Sequence, residues 1–320
     1  MKAVVLEKPC RARDLKVSEV NTPGVKTGWV LVKIKAFGLN RSELFTRNGD
    51  SPSVTLPRIL GIECVGEIAD PSDSDFMVGQ KVVSLMGGLG RDFDGSYAEY
   101  TLIPKDQVYP IDTAFDWVTL ASIPETFYTV YGSLIQSLHL KSTETLLIRG
   151  GTSSAGLTAL QLAKSMGVTV ISTTRDIKKT DLLKNYGADH VIVDNGNIIN
   201  DLFKLFPDGV DKILELVGSS TIKNSLQLLA VSGILCMTGI LGGWVIDEFE
   251  PLVDIPSGRY FTTFESSKVD VKLLTDLFEL IAKKQLFPII SKVFTLDEIA
   301  EAHAFLEENT ANGKVVVVNP

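Results

Sequence analysis

The sequence predicts an α/β protein in which a strand-rich module is followed by a doubly wound parallel sheet. Three observations lead there. The first third holds short β-branched and apolar runs separated by Pro, Gly, Asn and Asp clusters. From Thr119 onward, strand-length and helix-length runs alternate, as in βαβ units. Between the first such strand and its helix lies a turn of small residues, Gly150-Gly151-Thr152-Ser153-Ser154-Ala155-Gly156.

In chain order, residues 3–6, 29–36, 64–68, 81–85 and 98–103 read as the strands of a compact β module, punctuated at 21–24, 48–52 and 70–75. Residues 120–139 read as helix with an interruption at Pro124. Strands follow at 145–149, 168–173, 190–193, 212–216 and 233–237, with helices at 154–166, 177–186, 198–205 and 221–229 between them. In the tail, 271–284 carries Leu273, Leu274, Leu277, Phe278 and Ile281 at helical spacing. Thr295 and Glu298 form a capping box opening a helix to 308. Residues 314–318 read as a strand that needs a sheet partner, so the tail is expected to return to the first module.

A length of 320 residues suggests about two domains. Hydrophobic residues at 45% and charged residues at 22% exclude a wholly disordered chain. The net charge of −8 argues against general nucleic-acid binding, because such a surface repels phosphate backbones. Cys10, Cys64 and Cys236 are too sparse for a disulfide framework and contain no CxxC pair. No apolar run reaches the roughly eighteen residues of a membrane span. The N-terminus turns charged again at Glu7, too early for a signal-peptide core. The expectation is a cytoplasmic protein with a small-molecule substrate and neither nucleic-acid nor membrane partner.

The small-residue turn carries the chemistry. A helix N-terminus offers unpaired N–H groups and a partial positive charge, and small residues let a pyrophosphate reach them. Gly151-x-Ser153-x-x-Gly156 follows the G-x-G-x-x-G spacing with Ser in second place. Gly151, Thr152, Ser153, Ser154, Ala155 and Gly156 are therefore candidate dinucleotide contacts; the alternative is a tight βα turn with no ligand. NAD-binding folds place an acid about twenty residues on, at the tip of the next strand. Here that tip is Thr173-Thr174-Arg175, with Lys178 and Lys179 just behind. Thr174, Arg175 and one of the two lysines suit a 2′-phosphate, so the expected cofactor is NADP rather than NAD. Gly218, Thr238 and Gly239 follow sheet strands and join the cofactor set, since ligands bind beyond the carboxyl ends of such strands.

Read together with Gly38-Leu39-Asn40-Arg41-Ser42-Glu43, Pro57-Arg58-Ile59-Leu60-Gly61-Ile62-Glu63-Cys64-Val65-Gly66, Val78-Gly79-Gln80-Lys81-Val82 and Gly95-Ser96-Tyr97-Ala98-Glu99-Tyr100, these residues resemble the medium-chain dehydrogenase/reductases, in their zinc-free quinone oxidoreductase branch. Gln161-Leu162-Ala163-Lys164, Gly187-Ala188-Asp189 and Asn312-Gly313-Lys314-Val315-Val316 extend the resemblance over nearly the full length. It implies a GroES-like β-barrel domain built from residues 1–120 and 260–320, around a Rossmann NADP-binding domain over 121–259. It also implies a homodimer, with 233–239 as an edge strand pairing across the dimer axis.

Zinc-dependent members carry a Cys where this chain has Asn40, and a His where it has Ile62; neither replacement is a useful zinc ligand. No metal is therefore expected, and His139, His190 and His303 read as surface or packing residues. Without a Lewis acid, the fitting reaction is hydride transfer to an acceptor that is already electrophilic, a quinone or an activated enone. By resemblance, Asn40 donates to the acceptor carbonyl or holds the nicotinamide ribose, and Tyr128 or Thr129 borders the nicotinamide. Glu63 either positions neighbouring groups or forms a structural ion pair with Arg41 or Arg47. Phe45 and Phe264 stand where relatives carry Tyr and Arg, which removes an obvious proton donor. Two other readings stay open: an enoyl-thioester or enone reductase of the same fold, and an NADPH-binding structural or sensor protein without turnover.

Overall fold

A computed structural model describes Met1–Asn319. The chain divides into two compact units. The first takes Met1–Glu125, Ser267–Val271 and the tail from Phe287; the second takes Thr126–Ser266 and Lys272–Leu286.

The elements that matter here run as follows. The first unit begins with β1 (Trp29–Leu39), α1 (Arg41–Asn48), β2 (Glu63–Asp70), β3 (Lys81–Leu85), β4 (Tyr100–Pro104) and α2 (Trp117–Ala121). Next come α3 (Pro124–Gly132), a π-helical turn at Ser133–Ser137, β5 (Thr145–Arg149), α4 (Ser154–Ser165), β6 (Thr169–Thr174), α5 (Thr180–Asn185) and β7 (His190–Val193). The second unit's sequence continues with α6 (Ile199–Leu205), β8 (Val210–Glu215), α7 (Ile222–Leu226), β9 (Leu229–Met237) and β10 (Tyr260–Thr263). The tail holds α8 (Val271–Lys284), β11 (Ile290–Thr295), α9 (Ile299–Glu307) and β12 (Lys314–Val318).

In the first unit, β11-β12-β1-β2-β3 and the short strand Tyr109–Pro110 form one sheet, with β4 also paired to β1. Val30, Val32, Ile34 and Ala36 of β1 face the core at the two-residue period of a strand, alternating with less buried neighbours. β12 returns as expected, antiparallel to β1, with Val316 opposite Gly38. Two helices, Arg41–Asn48 and the short Trp117–Ala121, depart from the all-β reading. The left-handed C-cap of Arg41–Asn48 is Gly49.

The core of this unit encloses a polar node. Arg47 donates to Nδ1 of His303 at 3.2 Å, and Nε2 of His303 lies 2.8 Å from the Tyr97 hydroxyl. A guanidinium only donates, so Nδ1 is the acceptor and Nε2–H donates to Tyr97. Burial, seconded by Arg47, pushes the His303 imidazole down to about 3. The folded state thus binds this proton less readily than the unfolded chain does. Stability from this group is full above pH 6.5 and falls as the pH drops from there toward 3, by at most about 1.4 kcal/mol per pH unit. We expect the stability difference between the parent and His303→Gln to shrink steadily from pH 7 to pH 4.5 in urea unfolding. A pH-independent difference would show that His303 is not held neutral.

The second unit is a six-stranded, wholly parallel sheet in the order β7-β6-β5-β8-β9-β10. Numbered along the chain this is 3-2-1-4-5-6, the doubly wound order whose switch point lies between β5 and β8. Leu147, Ile171, Ile192 and Ile213 of the sheet pack with Leu202 of α6 and Leu226 of α7. The two edge strands are β7 and, beside β9, β10. Residues 233–239, expected at the edge, lie in and just after β9, which pairs with β8 on one side and β10 on the other. The four residues of β10 are too few to announce a strand by periodicity.

Candidate functional site

The loop after β5 is built to present backbone. Ser153 caps α4: its hydroxyl accepts from Gly156 N–H at 3.0 Å and donates to the Gly150 carbonyl at 2.8 Å. Gly150 N–H donates to Thr173 Oγ1, and Gly151 N–H to the Thr173 carbonyl. These bonds fasten the loop to β6. The first-turn N–H groups of Ser154 and Ala155 have no carbonyl one turn back, and both residues are half-buried, so an anion can reach them. A Cβ on Gly156 would lie 2.5 Å from the Gly150 carbonyl oxygen and 2.6 Å from that of Gly151. Only a residue without a side chain lets the helix start this close to its own loop.

At the tip of β6, Arg175 and Lys178 are exposed. Asp176 is exposed as well, and its carboxylate is engaged by Lys178 N–H at 2.9 Å. Thr174 is buried, and its hydroxyl bonds the backbone of Asp176. The structure therefore presents Arg175 and Lys178 outward, while Thr174 shapes the turn.

Sequence reasoning passed over Arg149, the last residue of β5. It is fully buried. Its guanidinium grips Asp194 through two bonds of 2.8 and 3.0 Å and reaches Gly196 O, Thr221 O, Asn224 Oδ1 and Ser225 Oγ. Burial pushes the Asp194 carboxyl up, but its bonds from Arg149 and Gly196 hold it below the usual range. Ser225 also bonds Glu215, which accepts from the N–H groups of Val217 and Gly218. One cation thus ties together the segments that follow β7 and β8.

Thr238 Oγ1 lies 2.8 Å from Ser133 Oγ, and Ser133 donates to the Thr129 carbonyl. Thr238 and Gly239 both donate backbone N–H to the Glu215 carbonyl. Thr129 is half-buried, whereas Tyr128 is enclosed, its ring 6.2 Å from that of Phe264. The predicted contacts Gly218, Thr238, Gly239 and Thr129 thus share one hydrogen-bonded end of the second unit, with Glu215 at its centre.

In the first unit, Asn40 and Glu63 meet. Asn40 Nδ2 donates to Glu63 Oε1 at 2.8 Å, and Glu63 Oε2 accepts from Glu125 N–H at 2.8 Å. The cation on Glu63 is neither Arg41 nor Arg47. It is Lys314, whose Nζ lies 2.7 Å from Glu63 Oε1 and 2.5 Å from Asn40 Oδ1. Arg41 bonds Asn309, and Arg47 bonds Glu307, Asn48 and His303. Glu43, also buried, accepts from the Ser42 hydroxyl at 2.9 Å. Burial pushes its carboxyl up to about 7, against the pull of Lys314.

Zinc does not fit this cluster. Asn40 and Ile62 offer no thiolate or imidazole, and an ammonium already lies against the oxygens of Asn40 and Glu63. Among the described residues no three His, Cys, Asp or Glu converge into a metal-binding group. No described helix is long and apolar enough to cross a membrane.

Two family models match the chain: an alcohol dehydrogenase GroES-like domain over residues 26–113 and a zinc-binding dehydrogenase over residues 186–317. Quinone oxidoreductase of Homo sapiens is 27% identical over 308 residues, covering 94% of this chain and 92% of that protein. Acryloyl-coenzyme A reductase of Metallosphaera sedula is 24% identical, covering 99% of each. Among solved structures, the quinone oxidoreductase from Coxiella burnetii superposes with a TM-score of 0.87 at 26% identity, covering 100% of this chain and 99% of that one.

Proposed function

The chain belongs to the medium-chain dehydrogenase/reductase family, of the quinone oxidoreductase type, and on that premise we propose that it is an NADPH-dependent, zinc-independent reductase of quinones or related α,β-unsaturated carbonyls. The observation that carries the reading is the Gly150–Gly156 loop, with two open N–H groups at the switch point of the sheet. When bound there, the reduced nicotinamide supplies the hydride. The Ser154 and Ala155 N–H groups hold the pyrophosphate, and Arg175 with Lys178 or Lys179 holds the 2′-phosphate. Thr129, Gly218, Thr238 and Gly239 orient the remainder. Asn40 and Glu63 serve the acceptor, and water protonates the product, because a hydroquinone anion is stable enough to wait for it. The likeness to acryloyl-coenzyme A reductase supports a second reading, reduction of an enoyl thioester. A homodimer formed along the exposed edge of β10 fits the family.

The test is a titration of NADPH and NADH against the parent and Arg175→Ala at two salt concentrations. Each charge-assisted bond to the 2′-phosphate contributes about 1.5–3 kcal/mol, a preference of roughly tenfold to over a hundredfold. Arg175→Ala should weaken NADPH and leave NADH unchanged, and salt should narrow the parent's preference. Equal parent affinities for the two cofactors would defeat the NADP assignment.

A further inference from the structure

Lys314 is 2% exposed, and its ammonium touches two groups assigned above to the acceptor. Burying an ammonium is costly unless its hydrogens are all engaged, so this placement demands partners. The surrounding chain makes room for them. A Cβ on Gly38 would fall 2.6 Å from Glu63 Oε1 and 2.9 Å from the Ala121 carbonyl, and closer still to Lys314 Cε. Gly38 therefore leaves open the channel through which the lysine stem and the glutamate meet. Two acids face the ammonium: Glu63, in contact, and Glu43, through space.

The consequence falls on Asn40. An amide can present its oxygen or its nitrogen to a neighbour, and an ammonium accepts nothing. Oδ1 must therefore face Lys314, and Nδ2 must face Glu63. The second Nδ2 hydrogen has only distant acceptors, Gly38 O and Glu43 Oε1, both 3.5 Å away. Asn40 is thus held in one orientation by a cation 274 residues away in sequence.

We propose that Lys314 is the positioning residue of the Asn40–Glu63 pair, setting which face of the Asn40 amide is presented to the acceptor. The role rests on the function proposed above, whereas the orientation of the amide does not.

The experiment therefore has two readouts. The side-chain amide resonances of Asn40, assigned by their absence in Asn40→Ala, report the orientation directly. In Lys314→Gln and Lys314→Met they should shift and exchange faster with solvent; Lys314→Arg, which keeps the charge, should preserve them in part. Turnover of a quinone with NADPH reports the consequence. Misplacing one contact should lower kcat on the order of ten- to a hundredfold, with the NADPH Kd essentially unchanged. In an Asn40→Ala background the same change at Lys314 should add little, because the lysine acts through the asparagine.

Unshifted Asn40 resonances in folded Lys314→Gln, or additive losses in the double variant, would overturn the proposal. Should Lys314→Met fail to fold, the Gln and Arg variants carry the comparison. A parent without turnover would sink the proposed function, yet the resonances would still decide the role of Lys314.

Discussion

Gly156→Ala should abolish useful NADPH binding. The added Cβ meets backbone carbonyls of Gly150 and Gly151, not the yielding end of a side chain, so the loop can only move away from α4. That motion breaks the Ser153 cap and tilts the open N–H groups of Ser154 and Ala155 away from the pyrophosphate proposed to sit there. A loss of a hundredfold or more in affinity is expected, about 3 kcal/mol. Gly24→Ala is the matched control, because a Cβ there meets nothing within 4 Å. Isothermal titration of both variants decides the matter. If Gly156→Ala bound NADPH as the parent does, the loop would not be the phosphate site.

Arg149→Met should cause the largest loss of stability. The substitution leaves the buried Asp194 carboxylate without its partner and strips acceptors in the segments after β7 and β8. Removing one member of a buried ion pair costs about 3–5 kcal/mol. For a unit of this size that corresponds to a fall in Tm of roughly 10 °C. Adding Asp194→Asn should recover part of it, because the carboxylate in direct contact with Arg149 is then uncharged; Glu215, also buried and steadied by Arg149, keeps the rest of the loss. The same variant should weaken NADPH binding, since Asn224 and Ser225, released by Arg149, would anchor Glu215 and the Val217–Gly218 turn it bonds less firmly. A calorimetric Tm within a degree or two of the parent would show that the network is incidental.

Much of the fold was legible because its signals are local. The strands 145–149, 190–193, 81–85 and 314–318 and the helix 271–284 begin and end where apolar periodicity and turn residues place them. The Gly150–Gly156 loop was legible for the same reason: strand, small residues and helix follow one another without a gap. α1 was missed because Arg41–Asn48 is short and largely polar. β11 was missed because Ile-Ser-Lys-Val-Phe-Thr becomes a strand only through its pairing with β12.

The polar networks were not legible at all. Arg149 meets its side-chain partners 45 to 76 residues away, and Lys314 meets Asn40 across nearly the whole chain. In sequence, each is a single basic residue at the end of a strand. For Glu63 the sequence leaves a positioning role and an ion pair equally open, and offers only the nearby Arg41 and Arg47 as its cation, whereas the structure supplies Lys314. The place of Thr174 at the strand tip suggests a contact; its burial and its bond to Asp176 depend on how the following turn folds back.

The proposed activity is hydride transfer from NADPH without a metal ion. Its most direct test is the rate of NADPH oxidation by chelator-treated protein, shown by elemental analysis to be metal-free, across a panel of quinones and enones. We expect turnover with at least one quinone, unchanged by chelation and not raised by added zinc. Turnover that vanishes on chelation and returns with zinc, or NADPH binding with no consumption by any acceptor, would contradict it.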